Sequence, residues 1–343
     1  MLAAARPDAR GDGQNPTSWR TFEVRVRVDL IGADGPSRLW VPLALARPTP
    51  YQRTLSQTWT GNTTAVQLFG DPASGAPMLI ADWSSAAPEP SLTLTLEIAT
   101  RGHQVPLAQS RSLAAERLER YLQPTRLIPT TGIVRRTAQT IVRGHATSLA
   151  RARAIYEWVV DNTFRNPTVE GCGTGDIRWM LETGSLGGKC ADLNALFVGL
   201  CRSIGLPARD LYGLRVAPSE RFKSLGRSGD VTTAQHCRAE VYVEQLGWIP
   251  ADPADVRKVV LEEEPNGSIE SESAKRARAL LFGSWEMNWV AFNDAHDVRL
   301  PGSRGELLPF FMYPQVEVSH ARRNSLDAPR FRYSIAAAEL APH

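Results

Sequence analysis

Cysteine is scarce in this sequence: there are four in 343 residues, and no two are spaced C-x-x-C. No H-x-x-x-H pair occurs either, so the common zinc frameworks are missing and no metal site is expected. NDAHD at 293–297 falls short of an EF-hand calcium loop. No G-x-G-x-x-G follows a strand pattern and there is no P-loop, so no nucleotide cofactor is indicated. No apolar run approaches the ~18 residues of a membrane-spanning helix. Neither sign of charge dominates: 39 Lys and Arg stand against 36 Asp and Glu, a net charge of +3. Without a basic tract, nucleic acid is not an expected partner. Internal repeats and low-complexity blocks are absent as well. Residues 1–18 are polar, rich in Pro and Gly, and lack the apolar centre of an export signal, so they read as a disordered leader. Either the chain works in the cytoplasm or an export leader lies upstream of Met1.

What is present is the composition of a globular protein, 43% hydrophobic and 22% charged, long enough for two domains. From Thr21 the pattern alternates, with Phe22, Val24, Val26, Val28 and Leu30 on one face. Leu92, Leu94, Leu96 and Ile98 repeat it, and short apolar runs broken by Gly, Pro, Asn and Asp lie between. Residues 19–103 are therefore expected to form a small antiparallel β domain, a sandwich or barrel. The period then changes. Helical spacing is read over 112–122, over 148–162 with Thr147 or Ser148 as N-cap, and over 190–205, where Gly205 and Pro207 end the helix. Strand-like runs follow at 208–216, 237–243 and 247–252. Helices followed by strands make an α+β unit, here drawn over 110–335, with the segment 283–335 packed back on it. Trp285 and Trp289, one helical turn apart, read as core or cleft wall.

Cys190 opens the clearest helix and follows Gly187, Gly188 and Lys189. A helix N-terminus carries unpaired N–H groups and partial positive charge, which favour a thiolate. Cys201 lies on the apolar stripe of the same helix and reads as core. His236 starts a strand whose polar face it shares with Arg238, Glu240 and Tyr242, while Cys237 points to the apolar side. A turn at Gly247 would return the chain so that Asp252 stands beside His236. A carboxylate there can fix the imidazole tautomer and stabilise its protonated form. The bland alternative is that Asp252 only caps the turn before Pro253. Cys190, His236 and Asp252 together make a nucleophile, base and orienting acid.

These residues carry a resemblance. GGKCADLNALFVGLCRSIGLPARDLYGLRV at 187–216, HCRAEVYV at 236–243 and GWIPADP at 247–253 resemble the bacterial transglutaminase-like superfamily, which shares its core with papain-type cysteine proteases. The resemblance covers about residues 145–260. It implies a papain/transglutaminase-like α+β core, a helix bearing the cysteine packed on an antiparallel sheet, here preceded by the small β-sandwich-like domain. It also implies Cys190 as nucleophile, His236 as base and Asp252 as orienting acid. Arg238 departs from the pattern, because an aromatic residue often stands two places after the histidine, and it places an extra positive charge near the site as a further cleft candidate. GCGTGDI at 171–177 and residues 285–302 resemble a bacterial subgroup of the family.

The backbone N–H of Cys190 is the default oxyanion donor. Trp179 and the glycine-rich segments around Gly188 and Cys172 are candidates for a second donor or for the cleft, with packing the favoured reading of Trp179. Cys172 could line the cleft, pair with Cys237 or be a buried thiol; the unpaired reading is favoured. The expected activity is acyl transfer through a cysteine thioester on a protein or peptide substrate. Hydrolysis is preferred over protein crosslinking, and a non-catalytic binding module on the same fold is the alternative of another class. The resemblance and the β domain favour export to a bacterial periplasm or surface. The loop 217–232, rich in Ser, Gly, Arg and Lys, is a candidate gating flap.

Overall fold

The alternation that begins at Thr21 becomes β1 (Arg20–Asp29), which buries Phe22, Val24, Val26 and Val28, in a computed structural model describing residues 18–72, 75–85, 89–109, 117–264 and 266–341. It is followed by β2 (Ser37–Pro42), β3 (Gln52–Gly61), β4 (Ala65–Gly70), β5 (Pro77–Trp83), β6 (Ser91–Thr100) and the short β7 (His103–Gln104). β6 buries Leu92, Leu94, Leu96 and Ile98, so the period of two was read correctly in both strands. Of the helix expected at 112–122, residues 110–116 lie outside the described ones, and only a 3-10 turn, Glu119–Leu122, is seen. Pro124 stops any continuation.

The middle of the chain carries α1 (Ile133–Ile141), α2 (Ser148–Asn162), β8 (Phe164–Arg165), α3 (Ile177–Thr183), β9 (Gly187–Gly188) and α4 (Cys190–Ser203). The Thr147 side chain caps α2 by accepting from the Ala150 N–H at 3.1 Å. Every residue of α4 is buried, polar ones included. The sequence showed one apolar stripe, but α4 is a central helix, with α1, α2, α3 and α5 around it and a sheet against it.

That sheet is built from β10 (Ala208–Arg215), β12 (Gln235–Val243) and β13 (Gly247–Ala251), with β11 (Gly229–Asp230) in the intervening loop. The helices α5 (Pro253–Glu262) and α6 (Glu272–Leu280) follow, then β14 (Ser284–Trp285) and β15 (Trp289–Asn293). Its order is β13-β12-β10-β15, all antiparallel. Ala239 and Val241 of β12 enter the core shared with α4, while Arg238 turns to the other face, over the rings of Trp285 and Trp289. Those two tryptophans sit on strands, their ring centroids 6.0 Å apart, rather than on one helical turn.

The chain ends with β16 (His296–Val298), β17 (Leu308–Phe310), β18 (Gln315–Val318), β19 (Ala321–Arg323) and β20 (Arg332–Glu339). Here strand pairing crosses the boundary drawn from the sequence. β20 pairs with β1 along its whole length, and β18 pairs with β2. Two five-stranded sheets result, β11-β20-β1-β6-β3 and β19-β18-β2-β5-β4. Their inner faces share one apolar core that also takes in Leu214 of β10 and Val290 of β15. The sandwich is thus made from both ends of the chain, with β11 added at one edge, and rests directly on the central sheet.

Candidate active site

Cys190 is the first residue of α4, so its N–H has no acceptor within the helix. The start of α4 is tied down by Asp192. Its carboxylate accepts from the backbone N–H groups of Lys189, Thr174 and Gly175, each at 2.9 Å. This fastens the GCGTGD loop against the helix start, and the Ala191 N–H donates to the Cys172 carbonyl at 2.9 Å. Gly173 permits the close fit: its φ is +91°, and a Cβ there would fall 1.9 Å from an Asp192 oxygen. Burial raises the Asp192 pKa, opposed by those backbone hydrogen bonds.

All four cysteines are free and buried. Cys172, Cys190 and Cys237 meet in one cluster, while Cys201 lies apart in the core behind α4. The Cys190 thiol is held well below its ordinary pKa. Hydrogen bonds from the Cys172 and Cys237 thiols contribute most; burial opposes, and the hydrogen bond and charge of His236 add to the lowering. The Cys172 sulfur is also 3.3 Å from the Gln235 carbonyl, and its single proton serves one acceptor at a time. A thiolate at Cys190 is the stronger acceptor of the two. Cys172 and Cys237 are themselves pushed up and stay protonated.

His236 is the second residue of β12, beside Gly213 of β10, and its carbonyl accepts from the Trp289 indole N–H at 2.9 Å. The β12–β13 hairpin pairs Ala239 with Ala251, so the next residue, Asp252, comes back beside His236 as the turn at Gly247 implied. The distance from His236 Nε2 to Asp252 Oδ2 is 2.8 Å. The other Asp252 oxygen accepts from the Asp255 N–H at 3.1 Å and so caps α5. Asp252 thus caps α5 with one oxygen and faces the imidazole with the other. Capping fixes the carboxylate that faces the histidine. Asn194 of α4 adds a donor to the capping oxygen at 3.3 Å and one to the Cys237 carbonyl at 2.8 Å.

A second carboxylate, missed in the sequence, lies on the same imidazole. Asp255 Oδ2 is 3.3 Å from His236 Nε2, and Asp255 Oδ1 is 2.6 Å from the Arg215 guanidinium. The local signal was the D-P-x-D helix start, which puts an acid at both the N-cap and the third helical position. Arg238, the residue that departs from the family pattern, is buried with its Nε 3.7 Å from Asp252 Oδ2. Each carboxylate thus has an arginine behind it. Burial and Arg215 push the His236 pKa down, but Asp255, Asp252 and the Asp252 hydrogen bond outweigh them and raise it to about 9. Asp255 keeps its charge firmly: burial opposes, and Arg215 leads the lowering of its pKa. Asp252 is raised by burial and by its neighbour Asp255. A thiol inclined to ionise therefore stands near an imidazole inclined to hold its proton.

Cys190 and His236 line one cleft of about 390 Å³. Gly188 lies just behind it, its carbonyl accepting from the Asn166 N–H at 2.9 Å. Trp179 is 52% exposed on α3, outside the cleft lining, so it is not the packed residue expected. The loop 217–232 forms a cleft wall through Lys223, Ser224, Gly226 and Arg227. It is pinned by Arg215 and Asn288, both donating to the Leu225 carbonyl, and by pairing of β11 with β20. His236, Asp252 and Asp255 bring three atoms of metal-ligating kind within 4.8 Å of one another. Arg215 and Arg238 already supply the positive charge that a cation would bring there.

Residues 135–253 match the family model of the transglutaminase-like superfamily. An uncharacterized protein of Haemophilus influenzae is 34% identical over 351 residues, covering 94% of this chain and 93% of that one. Among solved structures, a candidate cysteine protease from Cytophaga hutchinsonii superimposes with a TM-score of 0.58 at 14% identity, over 95% of this chain and 92% of that one. The periplasmic domain of TgpA from Pseudomonas aeruginosa gives a TM-score of 0.37 at 16% identity, over 78% and 99%. No helix of the described residues is long and apolar enough to cross a membrane.

Proposed function

Since the chain belongs to the transglutaminase-like superfamily, we propose that it is a cysteine-dependent acyl-transfer enzyme acting on peptide or carboxamide bonds, with Cys190 as nucleophile, His236 as acid and base, and Asp252 as orienting acid. The observation that carries this is the Cys190 thiol at the start of α4, sharing a cleft with an imidazole whose Nε2 is 2.8 Å from a buried carboxylate. The Cys190 thiolate adds to the amide carbonyl, and the oxyanion is met by the free N–H at the helix start. His236 gives its proton to the departing amine, leaving a thioester on Cys190. It then takes a proton from the incoming nucleophile, water or an amine, and the acyl group leaves the sulfur.

Hydrolysis is the preferred outcome. The cleft is lined by charged side chains, with Lys223 and Arg227 open to solvent, so water reaches the thioester from the same side as substrate. Transfer to an amine calls for a site that excludes water. The family resemblance further favours an exported protein, which fractionation of cells producing the full gene product tests. For the chemistry, a peptide library is incubated with the protein, with and without added primary amine, and products are read by mass spectrometry. Cleaved or deamidated peptides in the absence of amine are expected. Loss of all products in Cys190→Ala is required. Amine conjugates dominating over hydrolysis would move the reading to crosslinking, and no products with slow, equal labelling of all four cysteines would move it to a binding module.

A further inference from the structure

The cleft in front of Cys190 has more positive charge on its walls than its own carboxylates can neutralise. Arg165 and Lys258 form one wall. Arg165 is placed there by the parallel pairing of β8 with β9, which sets it beside Gly188, two residues before the cysteine. Lys258 lies on α5, one turn beyond Asp255. Both side chains are largely buried, and they share a single counter-ion, Glu262, at 3.9 Å and 3.8 Å. Neither distance is a hydrogen bond, and Glu262 is itself half in solvent. The loop 217–232 brings Lys223 and Arg227 to the same cleft, and among the described residues neither has an acidic side chain within ion-pair distance. The remaining acid of the cleft, Glu263, is held by the backbone N–H and hydroxyl of Ser224, at 2.7 Å and 2.5 Å. Arg215 is matched by Asp255 and adds nothing to the excess.

Cations gathered around one half-closed polar cleft repel one another unless something anionic enters among them. We propose that the substrate of this site is an acidic peptide, one that places a carboxylate among Arg165, Lys258, Lys223 and Arg227 while its scissile carboxamide lies against Cys190. The carboxylate is that of a neighbouring Asp or Glu side chain or of a free C-terminus; both have the chemistry the walls select. The inference rests on the reading of Cys190 as nucleophile, and it adds the substrate class to it.

Binding is tested apart from turnover, with full-length Cys190→Ala protein immobilised and exposed to degenerate hexapeptide pools holding a central Gln. One pool has Glu at the positions flanking that Gln and a C-terminal amide. A second has Gln in place of Glu. A third has no acidic side chain but a free α-carboxylate. Retention of the Glu pool or the α-carboxylate pool at least tenfold above the all-Gln amide pool in low salt is expected, and which of the two is retained identifies the source of the carboxylate. Retention should fall steeply as salt is raised, as for any charge-driven contact. Lys223→Ala with Arg227→Ala, both at exposed positions, should remove most of the preference, and Lys258→Gln should weaken it. Equal retention of all pools, retention of none, or a preference unchanged in the double variant overturns the proposal. Retained peptides are then given to the protein with Cys190 intact. Acid-selective retention without any turnover would count against Cys190 as nucleophile while leaving the charge selection standing.

Discussion

Asp255 changes what each acid at the site is expected to do. His236 carries its proton to about pH 9, and Asp255 and Asp252 are what raise it against burial and Arg215. The active ion pair therefore exists from the lowered pKa of Cys190 up to that of His236, and kcat/KM should trace a bell whose alkaline limb lies near pH 9. Either Asp252→Asn or Asp255→Asn removes a charge that favours the imidazolium, so either should move the alkaline limb to lower pH. Asp255→Asn should move it further, because Asp255 is the stronger of the two charges raising the histidine and also pairs Arg215, the arginine that lowers it. Asp252→Asn keeps an oxygen for the α5 cap but takes from buried Arg238 the carboxylate 3.7 Å away, so some stability should be lost. A limb that stays in place in both variants would mean that neither carboxylate acts through His236. The thiols divide in the same way. Iodoacetamide should modify Cys190 first; Cys201, whose pKa burial pushes far up, should stay unmodified until the protein unfolds. Cys190→Ala should abolish turnover with little loss of stability. Cys201→Ala should keep activity in the folded fraction and cost about 1–2 kcal/mol in denaturant titrations.

At the scale of elements, the site depends on two junctions. One is the loop-to-helix junction at Asp192, where a single carboxylate serves three backbone N–H groups. Asp192→Ala would orphan all three and should cost on the order of 3 kcal/mol, with slower labelling of Cys190 as its helix start loosens. The other is the strand pair β10 and β12, where Gly213 stands opposite His236. A Cβ on Gly213 would fall 2.0 Å from the Val290 carbonyl oxygen and 2.6 Å from the Trp289 ring. Backbone cannot yield as a flexible side chain does, so Gly213→Ala should destabilise by about 3 kcal/mol or more and lower activity with it. Equilibrium unfolding decides this: a change under about 1 kcal/mol would show that β15 can shift without cost.

For the whole molecule, the sandwich closes only when the C-terminal strands return to β1 and β2. We propose that residues 19–103 are not an independent domain in solution. A chain cut after Pro314 loses Val316, Val318, Phe331, Ile335 and Ala337 from the shared core and leaves β1 and β2 as open edges. It should be aggregated or largely unfolded by size-exclusion chromatography and circular dichroism. A monomeric, active truncation would show that the central α+β unit folds without the sandwich. Leu214 and Val290 in that core tie the two parts, so loss of the sandwich should also reach the strand next to His236.

The sequence by itself determined those features whose signal is local. A period of two drew β1 and β6, a capped period of 3.6 drew α2 and α4, and Cys190, His236 and Asp252 stood out because a helix start, a strand start and a hairpin return are read within short windows. Tertiary structure alone decided what meets across long separations. An aspartate in the first turn of α5 looks like any helix-start acid until β12 lays His236 against it, and Asp192 looks like one until the GCGTGD loop folds onto it. Arg238 reads as a charge near the site, but nothing local says that Trp285 and Trp289 cover it. The strand at 332–339 alternates legibly, but nothing in it states that its partner is the strand at 20–29. Periodicity reports which face of an element is apolar; which other element covers that face is settled by packing the whole chain.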